Sequence, residues 1–192
     1  MNNEIDYFLE PLKVEESYKF RAELLLHPNI PKPLHGVAPR TLMKKKEWDH
    51  VRRTAYAKLG YHCFACGLFA SYDEERRRFE DVKLHAHEVY RIDYENCVVE
   101  LYEIVAVCPL CHDYIHCGRA NALYDKGIFD EESMYVIINR GDSVLKAAGL
   151  PLGFVVDKRD YSDSWSKWKL VYDGKEYFSQ FKSELEWKEH YE

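Results

Sequence analysis

The chain has 192 residues, 46% of them hydrophobic and 15% aromatic, enough for a buried core and too apolar for wholesale disorder. Its 27 lysines and arginines against 33 aspartates and glutamates give a formal charge of −6. That excludes a uniformly basic protein that coats nucleic acid, but not a local basic patch. The acidic start, MNNEIDYFLEPLKVEE, lacks the apolar stretch of a signal peptide, and no apolar run approaches the roughly 20 residues of a membrane span.

Residues 1–40 read as an acidic N-terminal arm ending in a Pro-rich connector, HPNIPKPLHGVAP, whose prolines disfavour a helix. Such an arm either packs on the domain surface or binds a basic partner. Residues 41–60 read as one amphipathic helix, with Thr41 capping its start and Gly60 ending it. Trp48, Val51, Ala55 and Leu59 fall at helical spacing and face the core, while Lys44, Lys45, Lys46, Arg52, Arg53 and Lys58 make this the most basic stretch. Those cations form either a solvated face or a phosphate-contacting one.

A tight cysteine loop, YHCFACG, follows. The alternation of VKLHAHEVYRI predicts a strand over 82–92, and a second strand is expected over 103–107. Pro109 suits the first turn of a helix that begins at the second cysteine pair and ends or bends at Gly118. Residues 121–192 read as a helical and hairpin extension packed on the core. Two helices are expected there, over 131–138, capped by Asp130, and over 143–148, ending at Gly149. They read as packing helices rather than a helix-turn-helix. Asp173-Gly174 between alternating segments predicts a hairpin, and SELEWKEHY a short helix with Ser183 and Glu186 as a capping box.

Six cysteines are too few for a disulfide scaffold, and their arrangement favours a metal in a reduced, cytosolic compartment. Cys63 and Cys66 form one Cys-x-x-Cys pair; 41 residues later Cys108 and Cys111 form another. Four thiolates in two knuckles suit tetrahedral Zn²⁺. Gly67 permits a tight turn after the first knuckle, and the second opens a helix whose N-terminus favours thiolate charge. Two reduced pairs, or a redox-active Cys-x-x-Cys, are the alternatives, although no thioredoxin-like βαβ pattern surrounds either. Cys97 and Cys117 take no role.

His112 and His116, at i and i+4, share one helix face, and His85 and His87, at i and i+2, share one strand face. A strand histidine opposite a helical pair makes a three-ligand site with open positions, the kind used in metal-assisted hydrolysis.

CFAC, LHAHEVY and CPLCHDYIH, with WDHVRRTAYAKLGYHCFACG before them, resemble the HNH, or ββα-metal, nuclease family in its treble-clef zinc form. The resemblance covers about residues 41–120. It implies an α+β fold with a treble-clef core, flanking helices and a C-terminal hairpin. Cys63, Cys66, Cys108 and Cys111 would hold structural zinc; His87, His112 and His116 would hold a catalytic Mg²⁺, Mn²⁺ or other divalent ion. DNA is the implied substrate, with Arg91 and Arg119 flanking the site and joining Lys44–Lys46, Arg52 and Arg53 as phosphate contacts. A phage or mobile-element origin is implied by resemblance alone.

Two departures stand out. The family's general-base histidine is replaced by Glu88, a weaker base than imidazole, with His85 as a substitute. The family's central asparagine has no clear match: Glu103 occupies its approximate place and Asn96 lies too far upstream. The alternative is therefore an inactive zinc module that binds nucleic acid or a host protein.

Overall fold

The structure, a computed structural model, describes residues 20–73, 75–76 and 78–191. Most of the acidic arm lies outside the described residues. Residues 20–40 do not stand apart: Leu24 and Leu25 enter one core cluster, Leu34 and Val37 the other. The architecture is mixed α+β, with six α-helices and two sheets among the described residues.

The single helix expected over 41–60 is two, α1 (Pro39–Leu42) and α2 (Lys45–Lys58), separated by extended backbone at Met43 and Lys44. Thr41 does not cap α2. Its hydroxyl is used in the turn after Pro39, donating to the Ala38 carbonyl at 2.7 Å. Ala55 and Tyr56 are buried on α2, whereas Trp48, Val51 and Leu59 are half-buried. Gly60 and Tyr61, both at positive φ, end the helix.

A small hairpin, β1 (Tyr72–Asp73) and β2 (Arg78–Phe79), leads to the main sheet. β3 (His85–Asp93) and β4 (Val98–Val107) pair antiparallel, with a bulge between Val89 and Tyr90. β4 starts well before the expected 103 because Val98–Glu100 also pair with a later strand, β5.

α3 (Pro109–Ile115) has Pro109 in its first turn, where the missing N–H costs nothing. The helix breaks at His116 (φ −92°, ψ 47°), not at Gly118, which lies inside α4 (Cys117–Asp125). The two helices expected at 131–138 and 143–148 are one, α5 (Glu131–Ala147). The Asp130 carboxylate does cap it, accepting from the Ser133 N–H at 2.8 Å. Gly141, between the two expected helices, is a packing residue inside the continuous one. A Cβ there would meet the Tyr114 ring at 2.0 Å, and Tyr114 Oη donates to Asp142 one residue on, at 2.6 Å. α3 thus lies directly on the α5 backbone.

β5 (Lys169–Tyr172) and β6 (Lys175–Phe178) form the expected hairpin, with Asp173 and Gly174 both at positive φ as a type I′ turn requires. The hairpin is not a separate appendage. β5 runs parallel to β4, giving a four-stranded sheet in the order β3-β4-β5-β6. α6 (Glu184–Tyr191) closes the chain; its Ser183 hydroxyl accepts from the Glu186 N–H at 3.3 Å, while Glu186 reaches back to the Lys182 N–H.

The core forms two clusters. One cluster surrounds the four cysteines and packs Tyr56, Leu84, Val105, Tyr114 and Ile137; the other gathers Leu34, Val99, Trp165, Trp168 and Leu170. Among the described residues, no helix is long and apolar enough to cross a membrane. Gly141→Ala is expected to cost about 1–3 kcal/mol through overpacking against Tyr114, read as a lower thermal midpoint; an unchanged midpoint would show that α3 and α5 separate freely.

Candidate metal centres

The first knuckle is shaped by its backbone. Cys63 N–H donates to Leu68 O and Gly67 N–H to Cys63 O, both at 2.8 Å, with Gly67 at φ +75° and its α-carbon against the Phe20 ring. Phe64 N–H donates to Ala106 O at 2.8 Å, fastening the loop beside β4. Cys108 is the N-cap residue of α3 and Cys111 sits in its first turn. Four sulfurs, Cys63, Cys66, Cys108 and Cys111, therefore lie within 4.8 Å of one another and can hold a metal ion such as zinc.

The fit is close. A tetrahedron with Zn–S bonds of about 2.3 Å has S···S edges of about 3.8 Å; Cys66 Sγ and Cys108 Sγ are 3.8 Å apart. Sulfur neighbours and then Arg140 push the Cys66 thiol far below its ordinary value, while crowding by the other three sulfurs and then burial push Cys111 up. Four thiolates coexist there only around a cation. Arg140 of α5 donates to Cys66 Sγ at 3.1 Å. All six cysteines are free, and Cys97 and Cys117 are buried away from this cluster.

The second group is His87, His112 and His116, whose ring nitrogens lie within 4.8 Å of one another and can also hold an ion. β3 supplies His87, and α3 with its C-terminal break supplies the other two. His87 Nδ1 and His112 Nδ1 are buried with no hydrogen-bond partner, as lone pairs or protons awaiting an occupant would be. Burial first, and then neighbouring cations and imidazoles, lowers His87 to about 3, His112 to about 2 and His116 to about 4. All three are neutral at pH 7, the form that ligates metal. His85 stands outside the trio, with its ring centroid 4.9 Å from that of His112.

Glu88 is buried, with Oε1 unpartnered; burial raises its carboxyl pKa against the opposing charge of Arg40. It does not join the ligand group and lines a small inner chamber of about 80 Å³ with the three histidines. His85 lines a different space. An open cleft of about 520 Å³ is bounded by His85, His112 and His116, by Trp48 and Tyr56, and by the cations Arg40, Arg52, Lys83 and Arg119. Arg52 is oriented by Asp49 and Arg119 by Asp113, at 2.8 and 2.6 Å. A second groove shares Arg52, Tyr56 and Lys83 with the cleft and adds Arg53 and Arg78.

Other expected residues fall elsewhere. Lys44, Lys45 and Lys46 are exposed at the start of α2 and do not line the cleft. Arg91 lies over the Tyr102 ring at 4.0 Å, in a shallow groove with Asp93 and Glu100. Glu103 is no bracing residue at the histidines; it pairs with Arg21 and Lys58 at 2.8 and 2.6 Å. Arg40, Arg140 and Asn29 were not marked by the sequence, because no short spacing connects them to the ligands; Lys83 was not marked although it stands two residues before His85. No protein-family model matches the chain, and no curated protein or solved structure matches it.

Cys111→Ala is expected to abolish zinc binding at the four sulfurs and with it cooperative unfolding, read by metal analysis and circular dichroism. The histidines predict a pH dependence. Their folded values lie below the 6.5 of an exposed imidazole, so the unfolded chain binds more protons between about pH 4 and 6.5. Stability without an ion on the histidines is therefore full above pH 6.5 and falls on acidification, by up to about 1.4 kcal/mol per pH unit for each buried ring. In denaturant titrations, His112→Gln should flatten that decline; an unchanged slope would contradict the neutral, buried trio.

Proposed function

We propose that the chain is a metal-dependent endonuclease of the HNH type, built on a treble-clef ββα-metal core, that hydrolyses phosphodiester bonds in DNA. The observation that carries this reading is the juxtaposition of a neutral three-histidine group with a cation-lined cleft. The order knuckle, β3–β4, second knuckle, α3 supports the treble-clef reading.

In this reading His87, His112 and His116 hold a divalent ion such as Mg²⁺ or Mn²⁺. When bound, such an ion offers Lewis-acid stabilisation of charge developing at the phosphate and on the departing oxygen. Arg40, Arg52, Lys83 and Arg119 bind the phosphate backbone, Arg52 and Arg119 oriented by Asp49 and Asp113. Trp48 and Tyr56 form its apolar wall. His85 accepts the proton of the attacking water. It lines the open cleft, and burial, Lys83 and Arg119 keep it neutral against the opposing Asp113. Water oxygen bonds to phosphorus as the bond to the departing oxygen breaks. Glu88 orients water from the inner chamber instead of acting as the base.

A second reading is a non-catalytic zinc module that binds nucleic acid or a protein. Burial of Glu88 outside the ligand group favours it. Plasmid cleavage with added Mg²⁺, Mn²⁺ or Ni²⁺ separates the two. The nuclease nicks plasmid, loses all activity in His87→Ala, and loses about 10²–10⁴-fold in kcat in His85→Ala. Lys83→Ala weakens DNA binding and lowers the salt-dependence slope by about 1. Cleavage that persists in His87→Ala rejects the histidine site; no cleavage with any metal, and one zinc per chain, selects the module.

A further inference from the structure

The break between α3 and α4 leaves a carbonyl in need of a partner. An unbroken helix would satisfy Ile115 O from the N–H four residues on; instead Asn29 Nδ2 donates to it at 2.9 Å, from 86 residues upstream. Ile115 immediately precedes His116, so this bond holds the backbone where the third histidine departs.

The same bond fixes the amide. With Nδ2 committed to a carbonyl, which only a donor can approach, the other end of the group is Oδ1. That oxygen is buried and has no partner. Asn29 lines the inner chamber together with Glu88, Tyr90 and the three histidines. Asn29 Oδ1, Glu88 Oε1, His87 Nδ1 and His112 Nδ1 are all buried without a partner, and all four belong to residues lining this one chamber. Its volume of about 80 Å³ exceeds the roughly 10–15 Å³ that one water needs. Buried polar atoms without a protein partner are ordinarily satisfied by ordered water, which typically makes about three hydrogen bonds.

We propose that Asn29 is a positioning residue: Nδ2 anchors the backbone at His116, and Oδ1 is a fixed acceptor that orients water in the chamber beside the histidine-held ion. This deepens the metal reading of the same site and rests on it. The segment Pro28–Ile30 is then a wall of the site, contributed from outside the cysteine–histidine core. Removing an outer partner of this kind from a metal site weakens ion affinity roughly 10–100-fold.

The test uses Co²⁺ added to full-length protein that already carries zinc on its cysteines; zinc outcompetes cobalt there. Visible absorption bands read both the affinity and the geometry of the second ion. Asn29→Ala should weaken Co²⁺ binding roughly 10–100-fold and shift the bands, with one zinc per chain retained. Asn29→Asp keeps an acceptor oxygen but loses the donor, and should restore most of the affinity. Unchanged affinity and bands in Asn29→Ala would overturn the proposal. So would Asn29→Asp as weak as Asn29→Ala, since the residue would then serve only as a backbone tether. If Asn29→Ala fails to fold, Asn29→Asp against wild type decides alone: a near-native Kd supports the acceptor and a tenfold loss rejects it. His112→Ala checks the underlying reading separately. Should Co²⁺ binding survive it, the histidine site itself falls, and the role of Asn29 with it.

Discussion

Four sulfur atoms drawn from two segments 41 residues apart, Cys63 and Cys66 with Cys108 and Cys111, lie within 4.8 Å of one another, and α3, β4 and the knuckle loop are arranged around them. Their mutual repulsion as thiolates is an energetic problem that a central dication solves, with Arg140 adding charge from outside at Cys66. Once that cluster closes, the start of α3 is pinned against the knuckle loop, and the loop is pinned to β4 through Phe64. The direction of α3 follows. It carries His112 and His116 toward His87 and lays Tyr114 on the glycine of α5. Adjacent positions of one short helix, Cys111 and His112, thus serve two sites of different chemistry, a soft sulfur cage and an imidazole group open to a cleft.

The charge of −6 takes on a local meaning. Acidic side chains do not simply outnumber basic ones; several hold particular cations in place or draw them away. Asp49 and Asp113 orient Arg52 and Arg119 at the cleft, whereas Glu103 takes Arg21 and Lys58 elsewhere. The result is a cleft lined by four cations on an acidic protein. That placement fits a phosphate-binding site better than the total charge does, because screening confines such interactions to about 10 Å at ordinary salt.

The grouping of the four cysteines and of the histidine trio was legible in the sequence because it is written in short spacings: Cys-x-x-Cys twice, and i, i+4 on a helix. The Asp173-Gly174 turn and the Asp130 cap were legible for the same reason, each being a local hydrogen-bonding rule. What depended on tertiary packing was not. Two helices were expected, over 131–138 and 143–148, where α5 is continuous, and only the Tyr114 ring explains Gly141 inside it. Gly118 looked like the end of α3, yet the break falls two residues earlier, at His116, where the third imidazole leaves the helix. Asn29 and Arg40 reach the site from segments with no periodic relation to it, whereas Lys83 stands two residues before His85 and four before His87. Conversely, Arg91 and Lys44–Lys46 are basic in sequence but line other surfaces, since linear charge density does not specify where a side chain points.

The central claim is that one frame holds two ions of unlike ligation, zinc on sulfur and a second ion on imidazole. X-ray absorption at the zinc and cobalt edges of protein loaded first with zinc and then with Co²⁺ tests it most directly. A pure sulfur shell at about 2.3 Å around zinc, with a nitrogen and oxygen shell and no sulfur around cobalt, is the expected result. Sulfur at the cobalt edge, or no specifically bound cobalt, would contradict it.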